Sequence, residues 1–322
     1  MAKAVADTLT PENAAGFVSD DLAPILGFSH MHDSGTGGLP SLGNFPLFVH
    51  PGCPDDDFRR CAFAITDRTA ARGALRVPGS VVARPGFFGV NLTSGVRAEM
   101  TVSERAVVYR FGFPGEGEVD VGMARKVAYS PVVVVDLVDL MNSRSTGGVR
   151  VYPESGRVTG EGKYGPSFGQ GNYKAFFCAD FKGAVIRRTG TFKGSEATDE
   201  VQFLDGVGNG FYIPSGSAGA WLQFEAPEGD ELLARVGLSF VSIEQACGNA
   251  EREIPDFGFE RVEEEAREAW REKLGAVQVD DTGVSEELLT TFWSGIYRTM
   301  LSPQNYTGEN PLWNSTEPYY DS

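Results

Sequence analysis

Histidine and cysteine are scarce in this sequence, with three and four copies among 322 residues, and no two cysteines form a CxxC pair. A zinc site with four cysteine ligands would have to gather scattered residues, so that class of metal centre has no sequence support. Basic residues are also few. The 28 Lys and Arg face 44 Asp and Glu, a formal charge of −16 and a pI near 4.7. Such a field repels phosphate backbones and anionic lipid, which excludes nucleic acid and membrane surfaces as partners and leaves neutral ligands, sugars among them. Long apolar runs are missing too. The longest, Val132–Val135 with Leu137, Val138, Leu140 and Met141, is interrupted by Asp136 and Asp139, far short of the roughly 20 residues a membrane helix needs. The first residues, MAKAVADTLTPENAAGF, lack the apolar core of a signal peptide. The expectation is an intracellular chain or one whose start is not the natural one.

What is present points the other way. Cys53 and Cys61 stand eight residues apart across CPDDDFRRC, a spacing that a local disulfide can close. The preferred connectivity is Cys53–Cys61 with Cys178–Cys247, against the alternatives of free buried thiols and a metal site. Asn91, Asn305 and Asn314 begin N-x-S/T sequons, candidate glycosylation sites. Both features favour an oxidising, secretory environment, which turns the missing signal peptide into a hint of an incomplete front end.

With 41% hydrophobic residues the chain can bury a substantial core, as two domains or one large β domain. From about residue 76 to 245 the pattern alternates. RAVVYRFGF places Val107, Tyr109, Phe111 and Phe113 on one face, and ARVGLSFVS does the same with Val236, Leu238 and Phe240. Turn signals such as FPGEGE, PESGR and APEGDE separate the runs, and 40 glycines supply the tight turns. The reading is a mainly β fold, a large antiparallel sandwich over residues 1–250.

Near residue 250 the character changes. FERVEEEAREAWREKLG puts Val262, Ala266, Ala269, Trp270 and Leu274 on one helical stripe, with Gly275 as a stop. Ser285 is placed to cap a second helix, on which Leu288, Leu289, Phe292, Trp293, Ile296 and Met300 crowd a broad apolar face until Pro303. So apolar a helix needs more neighbours than one helix supplies, and the sequence ends at WNSTEPYYDS. The expectation is a truncated helical domain over residues 284–322, joined to the sandwich by a helical linker, residues 251–283.

Several motifs tempt and fail. GPSFG, residues 165–169, matches a nucleophile elbow, but a strand-like QGNYKAFFCADF follows it where a helix is required. GVGNG, residues 206–210, has no helix after it to hold a phosphate. The acids of PDDD, residues 54–57, lack the alternating spacing and glycine of an EF-hand loop. All three read as turns or solvated loops. GFSHMHDSGTGG, residues 27–38, is denser: His30 and His32, an acid, three hydroxyls and four glycines. Three readings stay open for it. His30 and His32 could ligate a transition metal with His50, could be hydrogen-bonded inside a glycine-rich loop, or could line a sugar subsite.

GFSHMHDSGTGGLPSLGNFPLF resembles the hallmark loop of glycoside hydrolase family 92, in a G-F-S-x-T-H-x-S-G-x-G pattern matched by Gly27, Phe28, Ser29, His32, Ser34, Gly35 and Gly37. Met31 replaces the usual threonine, and Asp33 stands where an apolar residue is frequent. The resemblance continues through YKAFFCADF, GLSFVSIEQACGNAEREIP, AREAWREKLGAVQV and FWSGIYRTMLSPQNY, nearly the whole chain. It implies an N-terminal β-sandwich, a helical linker and the first helix of an (α/α)6 barrel. It further implies a secreted, calcium-dependent, inverting exo-α-mannosidase whose partners are α-mannoside glycans and the rest of the barrel. Inverting hydrolysis needs an acid and a base about 6.5–9.5 Å apart, and the resemblance places both, with the calcium ligands, in the barrel. No catalytic carboxylate or metal ligand is therefore assigned here. The expected pocket wall is His30, His32, Asp33, Ser34, Gly35, Thr36 and Gly37. Trp313, Glu317, Tyr320 and Asp321 are candidates for the cleft edge. The runner-up is a non-catalytic carbohydrate-binding or structural sandwich.

Overall fold

The computed structural model describes residues 1–8, 16–32, 43–63, 72–113, 118–120, 126–128, 130–139, 143–166, 170–208, 217–301 and 309. Two antiparallel sheets face each other. The smaller has seven strands in the spatial order Val5–Thr8, Ile25–Ser29, Leu47–His50, Val132–Asp136, Ala218–Phe224, Ile186–Lys193 and Glu196–Thr198. The larger has nine, in the order Phe203–Leu204, Thr146–Tyr152, Arg157–Tyr164, Tyr173–Lys182, Glu231–Ser239, Ala106–Gly112, Arg97–Val102, Phe87–Asn91 and Val82–Arg84. This is the expected sandwich.

The alternation decides which side chains meet between the layers. Val107, Tyr109, Phe111 and Phe113 point inward with Val236 and Leu238, and meet Phe28, Leu47, Val133, Val135 and Leu222 from the opposite sheet. Successive side chains of a strand face opposite ways, so Ala106 and Val108 point outward. They are nevertheless buried, beneath Ile254, Phe259 and Val262. The uninterrupted Val132–Val135 run is explained likewise. Val133 and Val135 face the main core, while Val132 and Val134 join Phe48, Phe58, Phe63, Phe192 and Trp221 under a second cover. That cover is the CPDDDFRRC loop, closed by the Cys53–Cys61 disulfide. Cys178 pairs with Cys247, as expected.

Among the described residues three helices follow strand Glu231–Ser239: α1 (Ile243–Glu253), α2 (Phe259–Leu274) and α3 (Glu286–Thr299). The sequence reading has two; the stripe of α1, Ile243, Ala246, Cys247 and Ala250, is short and made mostly of small residues, and its buried residues are Ala246, Asn249 and Ala250. Helix α1 sits on the larger sheet because Gly237 leaves room: a Cβ there would collide with the Ala246 carbonyl. Helix α2 buries only Phe259 and Val262 of its length, so most of the stripe expected there lies beyond the sheet. Ser285 caps α3 as expected, its hydroxyl accepting from Leu288 N at 3.3 Å. No residue of α3 is buried, and Leu288 is 60% exposed. Its closest ring partner is Tyr297 against Trp270 of α2, centroids 4.6 Å apart.

Candidate functional site

The stretch that stands out in the sequence begins on strand Ile25–Ser29, and its described residues, as far as His32, lie inside the molecule. His30 and His32 are both buried. The Nδ1 of His30 is 2.6 Å from the Tyr109 hydroxyl, and burial lowers the imidazole pKa to about 3, so the ring is neutral. His32 Nε2 lies 3.3 Å from Asp7 Oδ1, which also accepts from Ser29 Oγ at 3.1 Å. Burial pushes the Asp7 carboxyl up, against the opposing pull of His32 and Ser29. Gly16, at φ +79°, closes the site: a Cβ there would overlap His32 Nε2. The third histidine is engaged elsewhere. His50 Nε2 is 2.8 Å from the Ala62 carbonyl oxygen, and its pKa falls to about 4, chiefly through burial.

Among the described residues no three His, Cys, Asp or Glu side chains converge on a point that could hold a metal. The three-histidine alternative is therefore not assembled. The acids after Cys53 also part company. Asp55 pairs with Arg60, Asp56 takes both terminal nitrogens of Arg187 at 3.0 and 2.8 Å, and Asp57 accepts from the backbone and side chain of Arg59. Calcium asks for six to eight oxygens around one centre, which the described residues do not provide.

The expected wall residues Asp33, Ser34, Gly35, Thr36 and Gly37 lie outside the described residues, as do Trp313, Glu317, Tyr320, Asp321, Asn305 and Asn314. Asn91 is described: it closes strand Phe87–Asn91 and is exposed. Met31, within the hallmark stretch, is pinned to the described residues that follow it. Gly43 N and Asn44 N both donate to the Met31 carbonyl, at 2.6 and 3.2 Å. Asn44 is buried, and its side chain exchanges hydrogen bonds of 3.1 and 3.2 Å with the Tyr173 hydroxyl.

The same end of the sandwich carries other turns whose roots are tied. The ring of Tyr173 stacks on Tyr164 with centroids 5.5 Å apart, and the Tyr164 hydroxyl donates to the Leu137 carbonyl at 2.8 Å. Two residues on, Asp139 accepts from Ser143 N and Ser143 Oγ, both at 2.6 Å. Burial raises the Asp139 pKa to about 6 despite those bonds. Asp136 faces Arg72 at 2.8 Å with neither side chain exposed, and its other oxygen accepts from Val138 N. The sequence reading treats Asp136 and Asp139 only as interruptions of an apolar run. The structure makes them the anchors of the turn after strand Val132–Asp136.

A further acid, Glu309, carries no sequence signal at all. Its carboxylate is buried and accepts from Asn249 Nδ2 at 2.8 Å, Phe240 N at 2.9 Å and Ser239 Oγ at 3.2 Å. Its donors lie 60 to 70 residues away along the chain, beyond any local motif.

Set against known proteins, residues 1–239 match the description "Glycosyl hydrolase family 92 N-terminal domain", and residues 245–322 match "Glycosyl hydrolase family 92 catalytic domain". An "uncharacterized secreted glycosidase" of Arthroderma benhamiae is 46% identical over 326 residues, covering 100% of this chain and 41% of its own length. Among solved structures, the family 92 glycosyl hydrolase ccman5 superposes with a TM-score of 0.72 at 23% identity, over 94% of this chain and 38% of its own. An inverting mannosidase of Bacteroides thetaiotaomicron gives 0.68 at 22%, over 94% and 37%, and an α-mannosidase of the same organism 0.71 at 19%, over 92% and 37%. The chain thus spans about two fifths of the length of the proteins it matches.

Proposed function

Because the chain belongs to glycosyl hydrolase family 92, we propose that it forms the N-terminal portion of a secreted, inverting exo-α-mannosidase acting on the α-mannosides of glycans. The carrying observation is the order of the two domain matches, an N-terminal domain over residues 1–239 followed directly by the start of a catalytic domain at residue 245. The fold agrees with it, a two-sheet sandwich followed by helices one of which, α3, buries none of its residues. A secretory setting is supported by the two disulfides and by the relative described as secreted.

In this reading the sandwich supplies shape rather than acid and base. Its buried carboxylates are already engaged, Asp7 with His32 and Ser29, Asp136 with Arg72 and Asp139 with Ser143, and the buried Glu309, from the chain after α3, is engaged with Asn249. The acid and base of an inverting hydrolase, which flank the scissile bond with a water between base and sugar, are assigned to sequence beyond residue 322. Calcium is assigned there too, since the described residues do not fit it, and no step is routed through it. In this scheme Asp33, Ser34 and Thr36 remain the candidate mannose contacts, and the buried His30 and His32 precede them in the chain as part of the same stretch.

The test is expression of the whole protein from its gene and incubation with α-mannosides, with the released sugar followed by NMR. β-Mannose as the first product, lost on chelation of calcium, is the expected result. Binding to mannosides without release would convert the reading to a carbohydrate-recognition sandwich, and neither binding nor release would leave a structural module.

A further inference from the structure

Burying a carboxylate is strongly unfavourable unless its oxygens are satisfied, and Glu309 meets partners from three separate places. Ser239 ends strand Glu231–Ser239 of the larger sheet and Phe240 follows it, Asn249 lies on α1, and Arg105, whose Nε is 3.6 Å away, sits in the turn between strands Arg97–Val102 and Ala106–Gly112. Each donor is itself held. Asn249 Nδ2 also donates to the Leu238 carbonyl at 2.8 Å. Ser239 Oγ accepts from Val241 N at 2.8 Å. The Arg105 amide and Ser103 Oγ both donate to Glu253 at 2.7 Å. The receptor for this carboxylate is thus preorganised by the sandwich and α1, while the carboxylate comes from the chain after α3.

Contacts continue from that receptor to the hallmark stretch. The Phe240 ring meets Tyr173 edge-on, centroids 6.4 Å apart. Tyr173 exchanges hydrogen bonds with Asn44, and Asn44 N donates to Met31 O, between the two buried histidines.

We propose that Glu309 is a positioning residue that seats the chain following α3 on the sandwich and, through Phe240, Tyr173 and Asn44, holds the root of the hallmark stretch in register with the catalytic half. Its effect on catalysis rests on the mannosidase reading; its effect on the root does not.

The experiment uses the full-length protein with Glu309→Gln, Glu309→Asp and Tyr173→Phe, the last removing only the hydroxyl that meets Asn44. Losing a charge-assisted bond of this kind is expected to raise KM for a mannoside about tenfold, with kcat per folded molecule nearly unchanged and partial recovery in Glu309→Asp. Backbone amide exchange should accelerate in peptides containing Phe240 and Asn44. The double variant Glu309→Gln/Tyr173→Phe should cost less than the product of the single effects, the mark of shared coupling. An unchanged KM with unchanged exchange at both peptides overturns the proposal. So does a loss of activity that merely follows the unfolded fraction. If the wild type releases no mannose, the mannosidase reading fails by itself. Amide exchange at Phe240 and Asn44 then decides the proposal alone, acceleration at both in Glu309→Gln upholding it and no change overturning it.

Discussion

Arg72 Nη1 donates to Asp136 Oδ2 at 2.8 Å with both side chains fully withdrawn from solvent. Its Nε and Nη1 also reach the carbonyls of Leu26 and Phe63 at 3.0 and 3.1 Å, so one guanidinium ties three segments. Removing one partner of a buried pair strands the other charge, which costs about 3–5 kcal/mol. Arg72→Met should therefore lose stability of that order in denaturant unfolding. Removal of both charges in Arg72→Met/Asp136→Leu should recover part of the loss. A single variant as stable as the parent would contradict the account.

The two disulfides should differ in worth. Closing a loop restricts the unfolded chain more as the loop lengthens. The separations are 8 for Cys53–Cys61 and 69 for Cys178–Cys247, which correspond to about 2.5 and about 4 kcal/mol. Replacing Cys178 and Cys247 with serine should lower the unfolding midpoint further than replacing Cys53 and Cys61. The reverse ranking would show that the short bridge does more by covering Trp221, on which Phe58 stacks with centroids 4.2 Å apart.

The buried titrating groups oppose each other across the acid range. His30 and His50 have folded pKa values lowered to about 3 and about 4 from 6.5, so their contribution is full above pH 6.5 and is lost as pH falls toward those values. Asp139 is raised to about 6 from 3.8; its contribution is full below pH 3.8 and is lost as pH rises through 6. Between pH 6.5 and 4, His30→Gln should lose less stability on acidification than the parent, and Asp139→Asn should lose more. Unfolding free energies measured at pH 7, 5.5 and 4.5 for the three proteins check both signs.

Gly237 is where α1 touches the sheet. A Cβ there would collide with the Ala246 carbonyl and crowd Ala250, and overpacking of this kind costs about 1–3 kcal/mol. Gly237→Ala should lower the unfolding midpoint, whereas Gly248→Ala, with open space around it, should not. Equal behaviour of the two variants would count against close helix–sheet packing.

Leu288 and Phe292 are 60% and 37% exposed on α3, and contiguous exposed apolar surface promotes association. The 322-residue chain alone should self-associate with rising concentration. Leu288→Glu/Phe292→Glu should shift it toward monomer in sedimentation or light scattering. Monodisperse parent protein at high concentration would remove this expectation.

Much of the frame was legible because it is local. A period of two puts Val107, Tyr109 and Phe111 on one face wherever the strand ends up, and a serine before an acidic turn caps a helix, as Ser285 does. Eight residues suffice to predict that Cys53 can meet Cys61. The hallmark stretch identified the family through its residue order alone.

What the sequence by itself determined, then, is the alternation of strands, the helix-capping serine and the family; the disulfide pairing is only a preference until the fold brings Cys178 to Cys247. The tertiary structure decided what each buried polar group faces. His30 meets a tyrosine 79 residues away, His32 meets Asp7 across two strands, and Glu309 finds donors 60 to 70 residues back. Helix α1 stayed hidden because its stripe is short and carried by small residues, Ala246, Cys247 and Ala250 beside Ile243, which pack closely over Gly237. Hydrophobic periodicity is repeated along the chain and can be read from any short window. The partner of a buried charge is a single distant residue, and only the folded chain brings the two together.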